Sequence, residues 1–260
     1  MKRAVLWCAA AVLAVLLTIL ACFPASWLAP LVEQQTGGRL TLGDAQGTLW
    51  RGSAFIGGAP GAGGAVTPLL PGRFSWKLSP LVLFGHLSLD LANPQAFSQP
   101  VHVEGSWSQW QVSAAEVMLP AAGLAGLGAP LNTLAPSGIL RLSWTALELV
   151  HPSDMPNTVS VNGRTVLSMS DMGSRLSPVK PLGSYQLVMD WKGAQAQLVL
   201  TTVRGALLLS GSGALDNGRL RFAGQAQAAD GYEETLGNML NLLGQRRMVG
   251  GKNIIALEFK

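Results

Sequence analysis

Hydrophobic and polar positions follow three different rhythms along this chain. From Ala4 to Phe23 (AVLWCAAAVLAVLLTILACF) there is no charge and no polar period. At about 1.5 Å per residue such a run covers about 30 Å as a helix, enough to span a bilayer once. Pro24 to Gln35 then reads as a short juxtamembrane helix closed by Gly37-Gly38. Beyond it the period becomes two. Leu187, Met189 and Trp191 alternate with polar or smaller neighbours, Lys192-Gly193 turns the chain, and Ala196, Leu198 and Leu200 alternate again. Further turns at Arg204-Gly205 and Asp216-Asn217-Gly218 make Tyr185 to Ala228 an antiparallel meander.

The same alternation appears upstream. Leu40 to Ala45 and Thr48 to Ile56 flank Gln46-Gly47, Phe74, Trp76 and Leu78 form one face, and Leu87, Leu89 and Leu91 another. Val101 and Val103 lead through Gly105 to Trp110 and Val112, and Leu140, Leu142 and Trp144 follow Gly138. Asn162-Gly163 reads as a turn between short strands at 159–161 and 165–167. Two segments depart from the strand period. Leu119 to Leu134 reads as a short helix or packed loop. Asp230 to Arg247 puts Tyr232, Leu236, Met239, Leu240 and Leu243 at helical spacing, with acids at its start and Arg246-Arg247 at its end, as the helix dipole favours. A last strand is expected over 253–259, and Gly57 to Gly64 as a flexible loop.

The expected fold class is therefore mainly β: one N-terminal transmembrane helix, then a curved antiparallel sheet with one or two short helices. The expected division is residues 1–3 cytoplasmic, 4–23 anchor, 24–38 juxtamembrane helix and linker, and 39–260 an exported β domain, which the resemblance given below implies is periplasmic. Lys2 and Arg3 flank the span on its N-terminal side, and the first charge after it is Glu33, which places the N-terminus in the cytoplasm by the positive-inside rule. A cleaved signal peptide is the competing reading, but its apolar core is normally about 7–15 residues, and Phe23 stands where a small residue belongs. Lipoprotein processing at Cys22 is a third, against which Leu20 fits poorly.

Composition narrows the function. Of 260 residues only 12% are charged and 48% are hydrophobic, with 31 Gly and 15 Pro, and the mean hydropathy is +0.32. That excludes a disordered chain. Two Cys and three His leave little room for zinc ribbons, iron–sulfur clusters or a disulfide framework. Cys8 and Cys22, about 21 Å apart along one helix, cannot pair. Removing Lys2 and Arg3 leaves near balance between scattered basic and acidic residues, so the net charge of +4 does not argue for nucleic acid.

Candidate chemistry is sparse. His86, His102 and His151 lack two-ligand spacing. Asp44, Asp90, Glu104, Glu116 and Glu148 occur singly among strands, as solvated-face carboxylates do. Gly251-Lys252-Asn253 lacks the rest of a P-loop, and Gly211-Ser212-Gly213 reads as a crowded strand, bulged or strongly curved, rather than a nucleophile elbow. No catalytic, cofactor-binding or metal-ligating residue is expected, and no cofactor. Trp50, Trp76, Trp110, Trp144 and Trp191 read as inward core residues; Trp107 with Trp110 is the alternative, an aromatic binding face.

Several segments, in order along the chain, carry a resemblance. They are the apolar N-terminus with Trp27-Leu28; Ala45-Gln46-Gly47-Thr48-Leu49-Trp50-Arg51-Gly52-Ser53-Ala54; Leu70-Pro71-Gly72 with Trp76; Gly128-Ala129-Pro130-Leu131 with Pro136-Ser137-Gly138; and Pro181-Leu182-Gly183 followed by Thr201, Gly205 and Gly211. With them the chain resembles the type II secretion system protein N family. The resemblance implies a non-catalytic inner-membrane part of the machine that moves folded periplasmic proteins across the outer membrane, with other secretion subunits as partners. It brings no catalytic residues. The β architecture is also similar to pieces of AsmA-type proteins, which implies an alternative: a periplasmic lipid-binding or lipid-transfer groove, with lipid as the partner in the sheet.

Overall fold

A computed structural model describes residues 2–61, 63–127, 133, 135–151, 159–216, 218–243, 245–249 and 252–259. Its first element is helix α1 (Lys2–Ala21), rich in Ala, Leu and Val and without Gly or Pro. Pro24, which cannot continue a helix, follows its end. A 3-10 turn (Ala25–Trp27) and helix α2 (Leu28–Gln35) come next. Thr36 closes α2: its hydroxyl donates to the Val32 carbonyl at 2.8 Å and accepts the Leu40 N–H at 3.1 Å. Side chains are described for only part of α1, and among the described residues no helix is long and apolar enough to cross a membrane.

Among the described residues the rest is one antiparallel sheet of 17 strands with short helical segments. In chain order these are β1 (Leu40–Gly47), β2 (Arg51–Gly58), β3 (Thr67–Pro68), β4 (Phe74–Leu78), β5 (Leu87–Ala92), β6 (Val101–Gly105), β7 (Gln109–Val112), β8 (Ala115–Pro120), β9 (Ser137–Trp144) and β10 (Leu147–Val150). There follow β11 (Ser160–Gly173), β12 (Gly183–Gly193), β13 (Gln195–Gly205), β14 (Leu207–Asp216), β15 (Arg219–Ala228), helix α3 (Glu233–Leu243), β16 (Gln245–Val249) and β17 (Lys252–Phe259). Neighbours pair almost in sequence order: β1 with β2, β2 with β4, and on through β5 and β6 to β7. From β11 the ladder runs through β12, β13, β14 and β15 to β17, with β16 outside it. Between these halves, β10 pairs with β7 and β11, while β9 pairs with β8 and β11. Thus β7–β8 and β9–β10 are two strands broken at the same level. A 3-10 segment (Ala121–Leu127) touches β2 and β3 as well as β8 and β9, so the sheet bends across the strands between them.

The period-two reading of 185–228 holds, with strands ending at the expected turns. Four expectations change. The Asn162-Gly163 turn does not form: β11 runs unbroken through it for 14 residues. Gly163, at φ +136°, lies against the β9–β10 break, where a Cβ would come 2.6 Å from Leu147 Cδ2. A glycine that reads as a turn is instead a close approach. The expected helix over 230–247 ends at Leu243, and Arg246-Arg247 lie in β16, whose pairing with β17 displaces the last helical turn. Residues 119–134 begin as the end of β8 and continue as the 3-10 segment; 128–132 and 134 lie outside the described residues. The Gly-rich strand carries no bulge either, because the β14–β15 register is unbroken past Gly211 and Gly213.

The register separates two faces. One row crosses eight strands as Val117, Leu142, Leu167, Leu187, Leu200, Gly211, Gly224 and Leu257. Alternate positions carry the charged and amide side chains. At one end of the apolar face α3 lays Leu236, Met239 and Leu240 against Ala206, Leu207, Ala226 and Ile255, with Leu182 completing the cluster. Elsewhere much of the apolar face is only half-buried.

Tyr185 sits beside this cluster, and its buried hydroxyl donates to the Leu207 carbonyl at 3.0 Å. Burial pushes its ionisation well above the ordinary tyrosine value of 10.0. Above pH 10 the unfolded chain loses this proton first, so the folded state binds more protons and stability falls as pH rises. Denaturant midpoints measured from pH 8 to 11 should show that decline, and Tyr185→Phe should flatten it while lowering neutral-pH stability by about 1 kcal/mol. An unchanged alkaline limb in the variant would refute the assignment.

Candidate functional site

The polar face is a ladder of exposed pairs that join neighbouring strands. Asp90 on β5 meets His102 Nδ1 on β6 at 2.6 Å, and Arg141 on β9 meets Glu116 on β8 at 3.2 Å. Arg164 on β11 grips Asp190 on β12 through Nε at 2.5 Å and Nη2 at 3.0 Å, and that hydrogen bond holds the Asp190 carboxyl below the usual carboxylate range. Glu148 accepts from Gln109 across β10–β7 at 2.6 Å. Asp44 takes hydrogen bonds from Gln46 and an ion pair from Arg73, which lower its pKa. Exposed pairs of this kind contribute little to stability each, but opposite charges facing across strands favour the observed register. The five singly occurring carboxylates thus lie on or beside the sheet, and no group of three His, Cys, Asp or Glu able to hold a metal occurs among the described residues. His86 lies just before β5, and its backbone N–H donates to the Leu81 carbonyl at 3.1 Å.

The tryptophans are where expectation and structure differ most. Trp50, Trp76, Trp110, Trp144 and Trp191 are half-buried rather than core. Four of them use the indole N–H as a tie: Trp76 to the Leu49 carbonyl, Trp144 to the Ser113 carbonyl and Trp191 to Thr165 Oγ1, at 2.9 to 3.0 Å. Trp50 makes the fourth, to the Leu20 carbonyl in the last turn of α1, at 2.8 Å. That carbonyl is one of the helix-end acceptors left without an intrahelical donor. Beside it the Leu49 N–H donates to the Phe23 carbonyl at 2.8 Å, and Pro24 bridges Thr48. The β1–β2 turn, Thr48-Leu49-Trp50, therefore clasps the end of α1.

The same rim of the sheet carries an apolar surface. Leu78 donates its N–H to the Trp50 carbonyl at 2.8 Å, after which Ser79 caps a 3-10 turn, Pro80–Phe84. This turn adjoins the β6–β7 hairpin around a crevice of about 230 Å³ lined by Val82, Gly85, Leu87, Ser106, Trp107 and Trp110. Trp107 and Trp110 are thus brought together, as the aromatic-face alternative expects, and Trp107 is 67% exposed. Leu81, Leu83 and Phe84 are exposed as well. The sequence reading missed this turn, although Pro80-Leu81-Val82-Leu83-Phe84-Gly85 has a helix-starting Pro, a stop at Gly and no polar residue between them. A larger cleft of about 640 Å³ opens nearby beside Arg51, Trp76, Lys77, Asp90 and His102. Ser53 and Ser75 also line it; Ser75 Oγ donates to the Ala92 carbonyl at 3.2 Å, while His102 is held by Asp90.

The family model of type II secretion system protein N matches residues 38–254. The chain belongs to the type II secretion system protein N family. No curated protein and no solved structure gives a significant match. The match opens just before β1 and ends inside β17, so it covers the strands and the clasping turn Thr48-Leu49-Trp50, while α1 and α2 lie outside it. Membership makes the chain a component of type II secretion. Its family-like segments fall at joints of the fold: 45–54 in the clasp hairpin, Pro71 as acceptor of the buried Asn93 amide at 3.0 Å, and Leu182 in the core under α3. Gly128 to Leu131 lie outside the described residues.

Proposed function

We propose that the protein is a non-catalytic inner-membrane component of the type II secretion apparatus, held by a single span at 4–23. Its N-terminus is cytoplasmic and residues 39–260 form a periplasmic sheet that contacts other secretion subunits. The observation that carries the secretion role is the family match over almost the whole sheet. The anchor is supported by the uncharged run from Ala4 to Phe23 behind Lys2 and Arg3, and by Trp7, Val12, Leu13, Val15 and Ile19, all more than half exposed on α1. Binding rather than catalysis is supported by the architecture: α2 packs along β1, while β16 offers a sheet edge with no further strand among the described residues. Such an edge suits addition of a partner strand.

Deleting the protein should lower folded cargo in the medium and raise it in the periplasm. Exchanging Ala4–Phe23 for an unrelated apolar span should restore export, since the span's task is to hold the sheet at high local concentration near the membrane. Normal export in the deletion strain, with altered outer-membrane lipid, would favour the second reading, in which the apolar face carries acyl chains. That reading draws on the Val117-to-Leu257 row, much of it only half-buried. Acyl lipid copurifying at fixed stoichiometry would support it.

A further inference from the structure

The clasp and the exposed tips beside it lie at one end of the sheet. Trp50 holds the last turn of α1, and Leu81 follows three residues after Leu78, whose N–H reaches the Trp50 carbonyl. Three extended residues span at most about 10 Å, so the tips flank the point where α1 leaves the sheet. Beyond the clasp α1 lies clear of the strands, with its described large side chains exposed. No Asp, Glu, Lys or Arg occurs from Leu78 to Leu89, where His86 is the one titratable side chain, nor from Gly105 to Ala115. Within those stretches Phe84 is 78% exposed and Trp107 is 67% exposed, beside Leu81 and Leu83. Contiguous apolar surface of this sort marks a protein or membrane contact, and Trp is favoured where hydrocarbon meets water.

We propose that the Pro80–Phe84 turn and Trp107 insert into the interface of the bilayer that holds α1, so that the sheet stands on the membrane on a second apolar foot. The occupant is lipid rather than protein because these tips share a rim with the end of the apolar helix, and a bilayer enclosing α1 begins there. The inference rests on the anchor reading of α1. It goes beyond it in fixing which end of the sheet meets the membrane and by which residues.

The full chain, with Cys8→Ser and Cys22→Ser, is reconstituted into phosphatidylcholine vesicles with an environment-sensitive fluorophore on Phe84→Cys, Trp107→Cys or Val203→Cys. Val203 is equally exposed but lies at the other end of the sheet, beside Gly205 and Gly183. Emission from positions 84 and 107 should shift to the blue and be lost to brominated acyl chains, while position 203 remains open to aqueous iodide. Alkaline carbonate extraction is run in parallel. Lipid quenching at 84 and 107 in protein that carbonate removes would keep the foot and overturn the anchor. Iodide quenching at 84 and 107 equal to that at 203 would overturn the foot, and retention in the membrane would then leave the anchor standing. Shielding of both tips from iodide and lipid alike would mark a protein partner there and overturn the proposal, as would lipid quenching at all three positions, which means a sheet lying flat.

Discussion

Gly205→Val should destabilise the fold strongly. Gly205 closes β13 at φ +140°, and a Cβ there would stand 2.2 Å from Gly183 Cα and 2.5 Å from the Leu182 carbonyl oxygen. Both contacts are backbone, so no side chain can rotate away. Strain at such a φ costs about 1–3 kcal/mol, and forced overpacking adds about 1–3 kcal/mol. The obstruction also reaches the core, since the Leu182 carbonyl accepts the Leu207 N–H at 2.9 Å and both residues belong to the cluster under α3. Urea unfolding of the full chain in detergent should show a loss of about 2–6 kcal/mol, the two costs together. Gly231→Ala is the control: its φ is +88° with nothing within 4 Å of a new Cβ, so it should lose only about 1 kcal/mol of conformational cost. Equal losses at the two sites would mean that crowding at Gly205 contributes nothing.

Leu236→Ala should cost about 2–5 kcal/mol, the range for removing a buried leucine and leaving a cavity. Leu236 is wholly buried on α3 between Met239 and Leu240 and the strands below. That helix is the main cover of one end of the apolar face, so the cavity has no second layer to close it. Leu236→Met, which conserves volume, should cost under about 1.5 kcal/mol. A loss below about 1 kcal/mol for the alanine variant would mean that α3 does not seat on the sheet.

What the sequence discloses is the period; what it hides is which neighbour a residue meets. Leu187, Met189 and Trp191 announce β12 because one face is apolar along its whole length. Asn162-Gly163 has the local signature of a tight turn, yet the long-range pairing of β11 with β9, β10 and β12 outweighs it and uses the glycine for space beside Leu147. Arg246-Arg247 suit a helix end equally well, and only the pairing with β17 selects a strand; Gly250-Gly251, directly after β16, was the available hint of a hairpin. Size alone makes the aromatic rings look like core. Their indole N–H groups seek acceptors, so four of them stay part-way out and tie strand to strand, or strand to helix. The rim was half legible. Trp107 with Trp110 stood out by spacing, whereas the turn at Pro80–Phe84 is too short to carry a period, and its position beside the end of α1 depends on a hydrogen bond from Trp50, thirty residues from its acceptor.

One feature of the ladder bears on how the chain matures. β14 and β15 pair in sequence order, but the outer side of β15 is taken by β17, and α3 and β16 come between them in the chain. A polypeptide made from its N-terminus can zip its early strands as they emerge. It cannot finish, because the edge of β15 and the apolar seat of α3 stay open until the segment around Ile255 arrives. The late strand therefore acts as a completion check: a chain that stops short of it keeps the sticky edge of β15 open.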